Sequence, residues 1–131
     1  MPIEPARQRM RVARPEQKLV SDTRLTLRVD FGSSGSIGPG KIRLLEAVKR
    51  TGSISQAGRS LGMSYRRAWL LVKTMNASFR QPLVTTAPFR GKGASLTADG
   101  KQVLRLYRDV EKRSLDAARA SVAKLVRLMK A

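Results

Sequence analysis

The side chains at positions 64–67 are the ones whose chemistry points to a binding function. They are Ser64, Tyr65, Arg66 and Arg67, at the start of a segment with helical periodicity. An arginine can donate two parallel hydrogen bonds to a guanine or pair with a phosphate. The start of the second helix is where a helix-turn-helix presents side chains to the major groove. These residues therefore predict DNA recognition; an ordinary exposed helix face that carries arginines is the alternative.

The surrounding residues 52–79 predict two helices joined by a tight turn. Ser53 or Ser55 can cap the first helix, because a hydroxyl oxygen accepts a hydrogen bond from an unpaired N–H group of the opening turn. Gly62 favours the left-handed conformation that ends a helix, and Ser64 can cap the second helix. The apolar residues at three- and four-residue spacing are Ile54, Ala57, Leu61, Ala68, Leu71, Val72 and Met75. One face of each helix can therefore be buried.

The charge of the chain favours a polyanionic partner. Its 131 residues include 27 Lys and Arg against 9 Asp and Glu, a formal net charge of +18 with a pI of about 11.7. The imbalance is greatest over residues 32–100, which contain 11 basic and 2 acidic side chains. Binding to nucleic acid releases the counterions condensed on its phosphates. A membrane surface is also anionic, so charge alone does not select the partner.

Composition argues against an enzyme. The chain has neither Cys nor His, which excludes a disulfide framework, a thiolate nucleophile and the usual zinc sites. Glu46 and Asp99 form no recognisable catalytic pair, and residues 91–93 are too short for a phosphate-binding loop. We therefore expect no catalytic residue, no metal and no cofactor. Because no apolar run is long enough to cross a bilayer and no secretory signal is visible, the expected location is the cytoplasm, at the nucleoid.

The N-terminal part of the sequence predicts an arm followed by a strand. Residues 1–22 are rich in arginine and proline and read as a disordered basic arm. Residues 24–31 alternate between apolar and polar side chains, which predicts a half-buried strand. A glycine- and serine-rich loop follows, and a helix is expected over residues 41–50 with Ile42, Leu45 and Val48 on its buried face. This helix completes a three-helix core with residues 52–79.

Residues 83–97 predict a β-hairpin directly after the helix pair. Residues 83–86 and 94–96 can form its strands, and the tip between them carries Arg90 and Lys92. A hairpin in this position is a wing, whose basic tip can meet the DNA backbone or the minor groove. A solvated loop with incidental charge is the alternative. The predicted fold is therefore mainly α with a small β wing, a winged helix-turn-helix domain over residues 23–97.

The last segment, residues 98–131, predicts one long helix capped by Thr97. Val103, Tyr107 and Val110 form a stripe expected to pack on the domain. The later apolar positions keep three-four spacing and are Leu115, Ala118, Val122, Leu125 and Met129. Such a seam suits a helix pair, so a homodimer is expected. A basic amphipathic helix on a membrane ranks second, because the seam has neither Trp nor Phe.

These motifs resemble the N-terminal winged-helix domain of the ModE-type molybdate-responsive transcriptional regulators, which is similar to the LysR-type DNA-binding domain. The resemblance spans residues 44–113. It rests on residues 52–57 (GSISQA), 64–69 (SYRRAW), 75–76 (MN), 83–84 (LV), 91–93 (GKG) and 96–97 (LT).

The resemblance implies roles for nine residues. Ser64, Tyr65, Arg66 and Arg67 would open the recognition helix, Ser53, Ser55 and Gln56 would face the DNA backbone, and Arg90 and Lys92 would sit in the wing. Trp69 also matches a family position, but helical spacing predicts that it lies in the core. The family further implies a homodimer on a two-fold-related operator in double-stranded DNA.

The sequence departs from the family beyond the helix-turn-helix. Full-length members bind molybdate in additional C-terminal β-rich domains, whereas the sequence printed here ends at residue 131 in a predicted helix. We therefore expect a DNA-binding module without its own molybdate sensor; whether a separate protein senses an effector stays open. The alternative function is a nucleoid-type or RNA-binding protein that binds by charge without sequence preference.

Overall fold

The computed structural model describes residues 22–87 and 93–130. Its elements, in chain order, are β1 (Val29–Asp30), a 3₁₀ turn (Gly32–Ser34), β2 (Ser36–Ile37), α1 (Pro39–Thr51), α2 (Ile54–Ser60), α3 (Tyr65–Ser78), β3 (Val84–Thr86), β4 (Ala94–Leu96) and α4 (Ala98–Leu128). The strands form two antiparallel pairs, β1 with β2 and β3 with β4. A mainly helical fold with a small β-hairpin and a long last helix is therefore confirmed.

The chain divides into two compact units. Residues 26–113 form one unit, which contains both β-hairpins, α1 to α3 and the first half of α4. Of the other unit the structure describes residues 22–25 and 114–130. The predicted basic arm over residues 1–22 lies, except for its last residue, outside the described residues. None of the helices in the described part of the chain is long and apolar enough to span a membrane.

The three helices α1, α2 and α3 pack around one apolar core. Ile42, Leu44, Leu45 and Val48 of α1 are all buried. The buried positions of the other two helices are Ile54, Ala57, Ala68, Val72 and Met75. Helix α1 begins two residues earlier than its periodicity predicts, because Pro39 fits the first helical position, where no N–H partner is needed.

The helix pair forms through the local signals that its sequence carries. The Ser53 hydroxyl accepts a hydrogen bond from the Gln56 N–H at 3.1 Å, so Ser53 is the cap of α2. The Ser64 hydroxyl accepts from the Arg67 N–H at 3.1 Å and caps α3. Gly62 lies between the helices at φ +71°, in the left-handed region. The predicted turn and caps are confirmed.

The predicted strand over residues 24–31 is wrong in length. Only Val29 and Asp30 pair, opposite Ile37 and Ser36, because the chain reverses at the 3₁₀ turn and β2 has just two residues. Leu25, Leu27 and Val29 are still half-buried. Alternation also predicts Phe31 on this inward side, which is wrong, since Phe31 is 43% exposed. A ladder needs a partner strand of matching length as well as alternation.

The first half of α4 packs on the domain through a stripe that differs from the predicted one. Leu104 and Tyr107 are buried and Val103 packs against the core, whereas Val110 is 41% exposed. The Tyr107 hydroxyl donates a hydrogen bond to the Leu27 carbonyl, 80 residues away in sequence. Desolvation by burial raises the pKa of Tyr107. The prediction for Val110 is wrong because Val110 lies about 120° around the helix from Leu104, at the edge of the packed stripe.

An ion-pair cluster also ties α4 to α1. The Arg108 guanidinium donates to both carboxylate oxygens of Glu46, at 3.0 Å from Nε to Oε2, and also donates to Glu111. These hydrogen bonds raise the pKa of Arg108 above its usual value.

The backbone at Pro82 and Leu83 sets where α4 begins. The Thr97 hydroxyl donates to the Pro82 carbonyl at 2.7 Å, and the Thr97 N–H donates to the Leu83 carbonyl at 3.0 Å. The same hydroxyl oxygen accepts from the Gly100 N–H at 2.9 Å and so caps α4, as predicted. A Cβ on Gly100 would lie 2.1 Å from the Leu83 carbonyl oxygen. Only glycine allows this approach.

Replacing Gly100 with alanine should therefore strongly destabilise the domain. We expect Gly100→Ala to lower the free energy of unfolding by about 3 kcal/mol or more, because the added methyl group displaces a buried carbonyl from its hydrogen bonds. Gly40→Ala is the matched control: Gly40 is also helical, and a Cβ there meets nothing within 4 Å. The control should be neutral or stabilising by up to about 1 kcal/mol. Urea unfolding of both variants measures the difference, and equal stability would contradict this account of Gly100.

Candidate nucleic-acid interface

Helix α3 buries one face and leaves the other open. Ala68, Val72 and Met75 are buried. Since successive residues of an α-helix are about 100° apart, Arg66, Leu70 and Lys73 lie on the opposite side, and all three are exposed. The outward face of α3 therefore combines two cations with a large apolar side chain.

A cleft of about 520 Å³ lies between the start of α2, the start of α3 and the β3–β4 hairpin. Its lining residues are Thr51, Gly52, Ser53, Ile54, Ser55, Gln56, Arg59, Tyr65, Trp69, Thr86, Gly93 and Ala94. Four of the residues predicted to contact DNA thus share one concave surface: Ser53, Ser55, Gln56 and Tyr65. We call this surface the wing cleft. Hydroxyl, amide and guanidinium groups of this kind are the usual donors to phosphate oxygens.

A second concavity, of about 380 Å³, lies on the outward face of α3. It is lined by Tyr65, Arg66, Trp69, Leu70 and Lys73. Trp69 borders both concavities, and its ring meets that of Tyr65 edge-on, with centroids 6.1 Å apart. Trp69 is 37% exposed, so the prediction that it lies in the core is wrong. Its neighbour Ala68 faces the core, and one residue further along α3 the side chain turns away from it.

A third concavity, of about 580 Å³, lies between the 3₁₀ turn and the later part of α3. It is lined by Ser33, Ser34, Leu70, Lys73, Thr74, Ala77 and Ser78. Phe31 meets Phe79 edge-on at 5.9 Å, which holds this turn against the end of α3. Sequence reasoning missed the turn as a flank of the site, because no charge or motif marks it.

The other predicted site residues divide into three cases. Ser64 acts as the cap of α3 through its hydroxyl. Arg67 is exposed but borders none of the three concavities, whereas Arg66 borders the second. Arg90 and Lys92 lie outside the described residues.

Asn76, near the end of α3, positions the hairpin. Its side-chain carbonyl accepts from the N–H groups of Leu83 (2.8 Å) and Val84 (3.1 Å), and its amide donates to the Val84 carbonyl at 3.0 Å. On the other side of the hairpin, the Ala94 N–H donates to the Gly52 carbonyl at 2.8 Å. The sequence signal for this role is weak: asparagine is a poor helix former and stands here just before a helix end.

The charged side chains that line the three concavities are all basic. None of the described residues that line the three concavities is acidic, and three are cationic: Arg59, Arg66 and Lys73. The described residues also contain no group of three or more carboxylates that could hold a metal ion. The arrangement is suited to an anionic partner broad enough to touch α3, the wing cleft and the 3₁₀ turn together.

Residues 40–101 match the family model described as bacterial regulatory helix-turn-helix protein, LysR family. The molybdenum-pterin-binding protein MopB of Rhodobacter capsulatus is 41% identical over 92 residues, covering 69% of this chain and 31% of MopB. The molybdenum transport protein ModE of Azotobacter vinelandii is 37% identical over 90 residues, covering 67% and 33% respectively. This chain thus spans about a third of the length of these curated relatives.

A solved structure supports the fold. The CbnR DNA-binding domain in its DNA complex superposes with a TM-score of 0.51 at 22% identity, covering 63% of this chain and 95% of that domain.

Removing the Asn76 side chain should loosen the wing. We expect Asn76→Ala to lower the free energy of unfolding by about 2–3 kcal/mol, because the N–H groups of two buried residues lose their acceptor. Thr74→Ala is the control on the same helix; its hydroxyl bonds only to the exposed Leu70 carbonyl, so the change should stay within about 0.5 kcal/mol. Chemical denaturation provides the comparison. If the two variants are equally stable, Asn76 does not hold the hairpin.

Proposed function

We propose that this protein is a sequence-specific, DNA-binding transcriptional regulator, on the premise that residues 40–101 match the LysR-family helix-turn-helix model. The observation that carries the proposal is the outward face of α3, which lies between two further concavities; among the described residues, no acidic side chain lines any of them. A helix so exposed and so flanked has the form that enters a major groove. Such a regulator acts where bacterial DNA lies, in the cytoplasm.

Each part of the surface has a proposed role. Arg66 reads a base edge, because it lies on the outward face of α3, whereas Arg67 lies on its flank and pairs with phosphate. Ser53, Ser55 and Gln56 contact the DNA backbone from the wing cleft, and Tyr65 borders both the backbone side and the base side. Arg90 and Lys92 remain proposed contacts of the wing tip. Ser64 supports the others as the cap.

We propose that the regulator is a homodimer paired through α4. The three-four spacing of apolar residues that begins at Leu115 continues to Met129. Within the second unit Leu115, Leu125 and Met129 are 37%, 63% and 61% exposed. Pairing with a second α4 would remove this apolar surface from water.

The names of the relatives do not extend the proposal to molybdenum. MopB and the Azotobacter ModE are about three times as long as the matched segment, and the match covers the helix-turn-helix. The residues shared with this chain therefore support DNA binding. The alternative function, charge-driven binding without sequence preference, rests on the net charge of +18.

Selection of DNA from a random pool at physiological salt tests the proposal. A regulator should enrich a two-fold-symmetric motif with half-sites about one helical turn, or a multiple of it, apart. Its affinity for that motif should exceed its affinity for unrelated DNA by about 10³ or more. Enrichment without a motif would overturn the proposal in favour of charge-driven binding.

Two arginine variants test which arginine of α3 reads a base and which one pairs with phosphate. Arg66→Ala should cost about 1–3 kcal/mol of discrimination at one base pair of the selected motif. Arg67→Ala should weaken binding to all sequences alike. It should also reduce the slope of log affinity against log salt concentration by about one, because one phosphate contact is lost. Affinities measured over a panel of single-base variants at several salt concentrations separate the two. The reverse pattern would assign base reading to Arg67.

The dimer is tested by charging the seam. Leu125→Asp should raise the dimer dissociation constant at least about tenfold, because one carboxylate from each copy would be buried in the pair. Leu106→Asp is the control, since Leu106 is 52% exposed on another face of α4. Sedimentation equilibrium measures the dimer dissociation constant of each variant. A wild-type protein that is monomeric at every concentration, or two variants that behave alike, would overturn pairing through this seam.

A further inference from the structure

The recognition helix exposes an unusual amount of apolar surface. Tyr65, Trp69 and Leu70 are 59%, 37% and 54% exposed, and together they line the second concavity. We call these three residues the apolar face of α3. Contiguous exposed apolar side chains on a small domain usually mark a contact surface. None of the three belongs to the apolar core, to which α3 contributes Ala68, Val72 and Met75, with Leu71 packed against it.

The surroundings of the apolar face define the chemistry of its partner. Arg66 and Lys73 border the same concavity, and no carboxylate lines it. A matching partner presents small apolar groups that are surrounded by negative charge. The major groove of DNA does this at each thymine, whose C5-methyl group projects into the groove between two rows of phosphates.

We propose that the apolar face of α3 reads the C5-methyl groups of thymine, with Leu70 and Trp69 as specificity-determining residues. This inference rests on the proposed function, because it assumes that α3 enters a major groove. It adds a base class that the arginines cannot select, since a guanidinium pairs with guanine or phosphate whereas a methyl group is selected by apolar contact.

The spacing along α3 also predicts where the thymine lies. Leu70 follows Arg66 by four residues, about 6 Å along the helix axis. Successive base pairs are about 3.4 Å apart. The thymine read by Leu70 therefore lies one or two base pairs from the base pair that Arg66 contacts.

Replacing thymine by deoxyuridine in the selected motif is the direct test, because it removes only the methyl group. We expect substitution at one or two positions of each half-site to weaken binding about fourfold per methyl group, the factor for withdrawing one such group from water. Deoxyuridine at other positions should have no effect.

Two leucine variants connect the effect to the apolar face. In Leu70→Ala, deoxyuridine at the position one or two base pairs from the Arg66 contact should no longer weaken binding. The ratio of the affinities for thymine and deoxyuridine should fall there to about one. Leu106→Ala removes an equally exposed leucine from α4 and should leave the penalty at about fourfold. Thermal unfolding of the two variants checks that both remain folded.

The outcomes separate this inference from the function on which it rests. A selection without a motif overturns the regulator itself. A motif that lacks thymine in its half-sites, or that tolerates deoxyuridine everywhere, overturns methyl reading alone. A deoxyuridine penalty that is unchanged in both Leu70→Ala and Trp69→Ala also overturns it, and would leave the apolar face as a surface for another protein.

Discussion

The structure of the domain depends on how the short segment from Pro82 to Val84 is held on two sides. Asn76 of α3 binds it through three hydrogen bonds, and Thr97 binds the carbonyls of Pro82 and Leu83 from the start of α4. Leu83 itself is fully buried, so its polar backbone groups must find partners inside the protein. One segment thereby links the end of α3, the β3–β4 hairpin and the start of α4. The close approach at Gly100 follows from the same arrangement.

The placement of the carboxylates keeps the proposed DNA surface free of repulsion. Among the described residues five acidic side chains pair with arginines: Asp30 with Arg28, Glu46 and Glu111 with Arg108, Asp109 with Arg113, and Asp116 with Arg119. Asp99 lies in the first turn of α4, where the helix dipole favours a negative charge. Such exposed pairs add little stability. The pairs hold these carboxylates away from α3: in the described part of the chain, no acidic side chain borders the concavities around this helix, and the arginines there stay available for a partner.

Much of the fold and part of the site could be predicted from the sequence. Ser53, Gly62 and Ser64 act within a few residues of their own position, so their capping and turn roles follow from local backbone chemistry. Helical spacing likewise identified the buried positions of α1 to α3, and the hairpin at residues 84–96 followed from its strand and turn signals. The family resemblance indicated Ser53, Ser55, Gln56 and Tyr65 as site residues, and the structure brings all four to one surface.

What only the tertiary structure decided depends on distant partners. The ladder of β1 is two residues long because β2 offers only two, and Trp69 is exposed although it stands beside a buried alanine. Asn76 holds the wing through backbone groups seven and eight residues away, which no periodicity encodes. The choice between Arg66 and Arg67 likewise depends on how α3 is rotated about its axis by its packing on α1 and α2. Sequence alone determined the helices and strands and the positive sign of the surface charge, because helix caps, hydrophobic periodicity and charged residues are local features. Packing determined which side chains the surface presents.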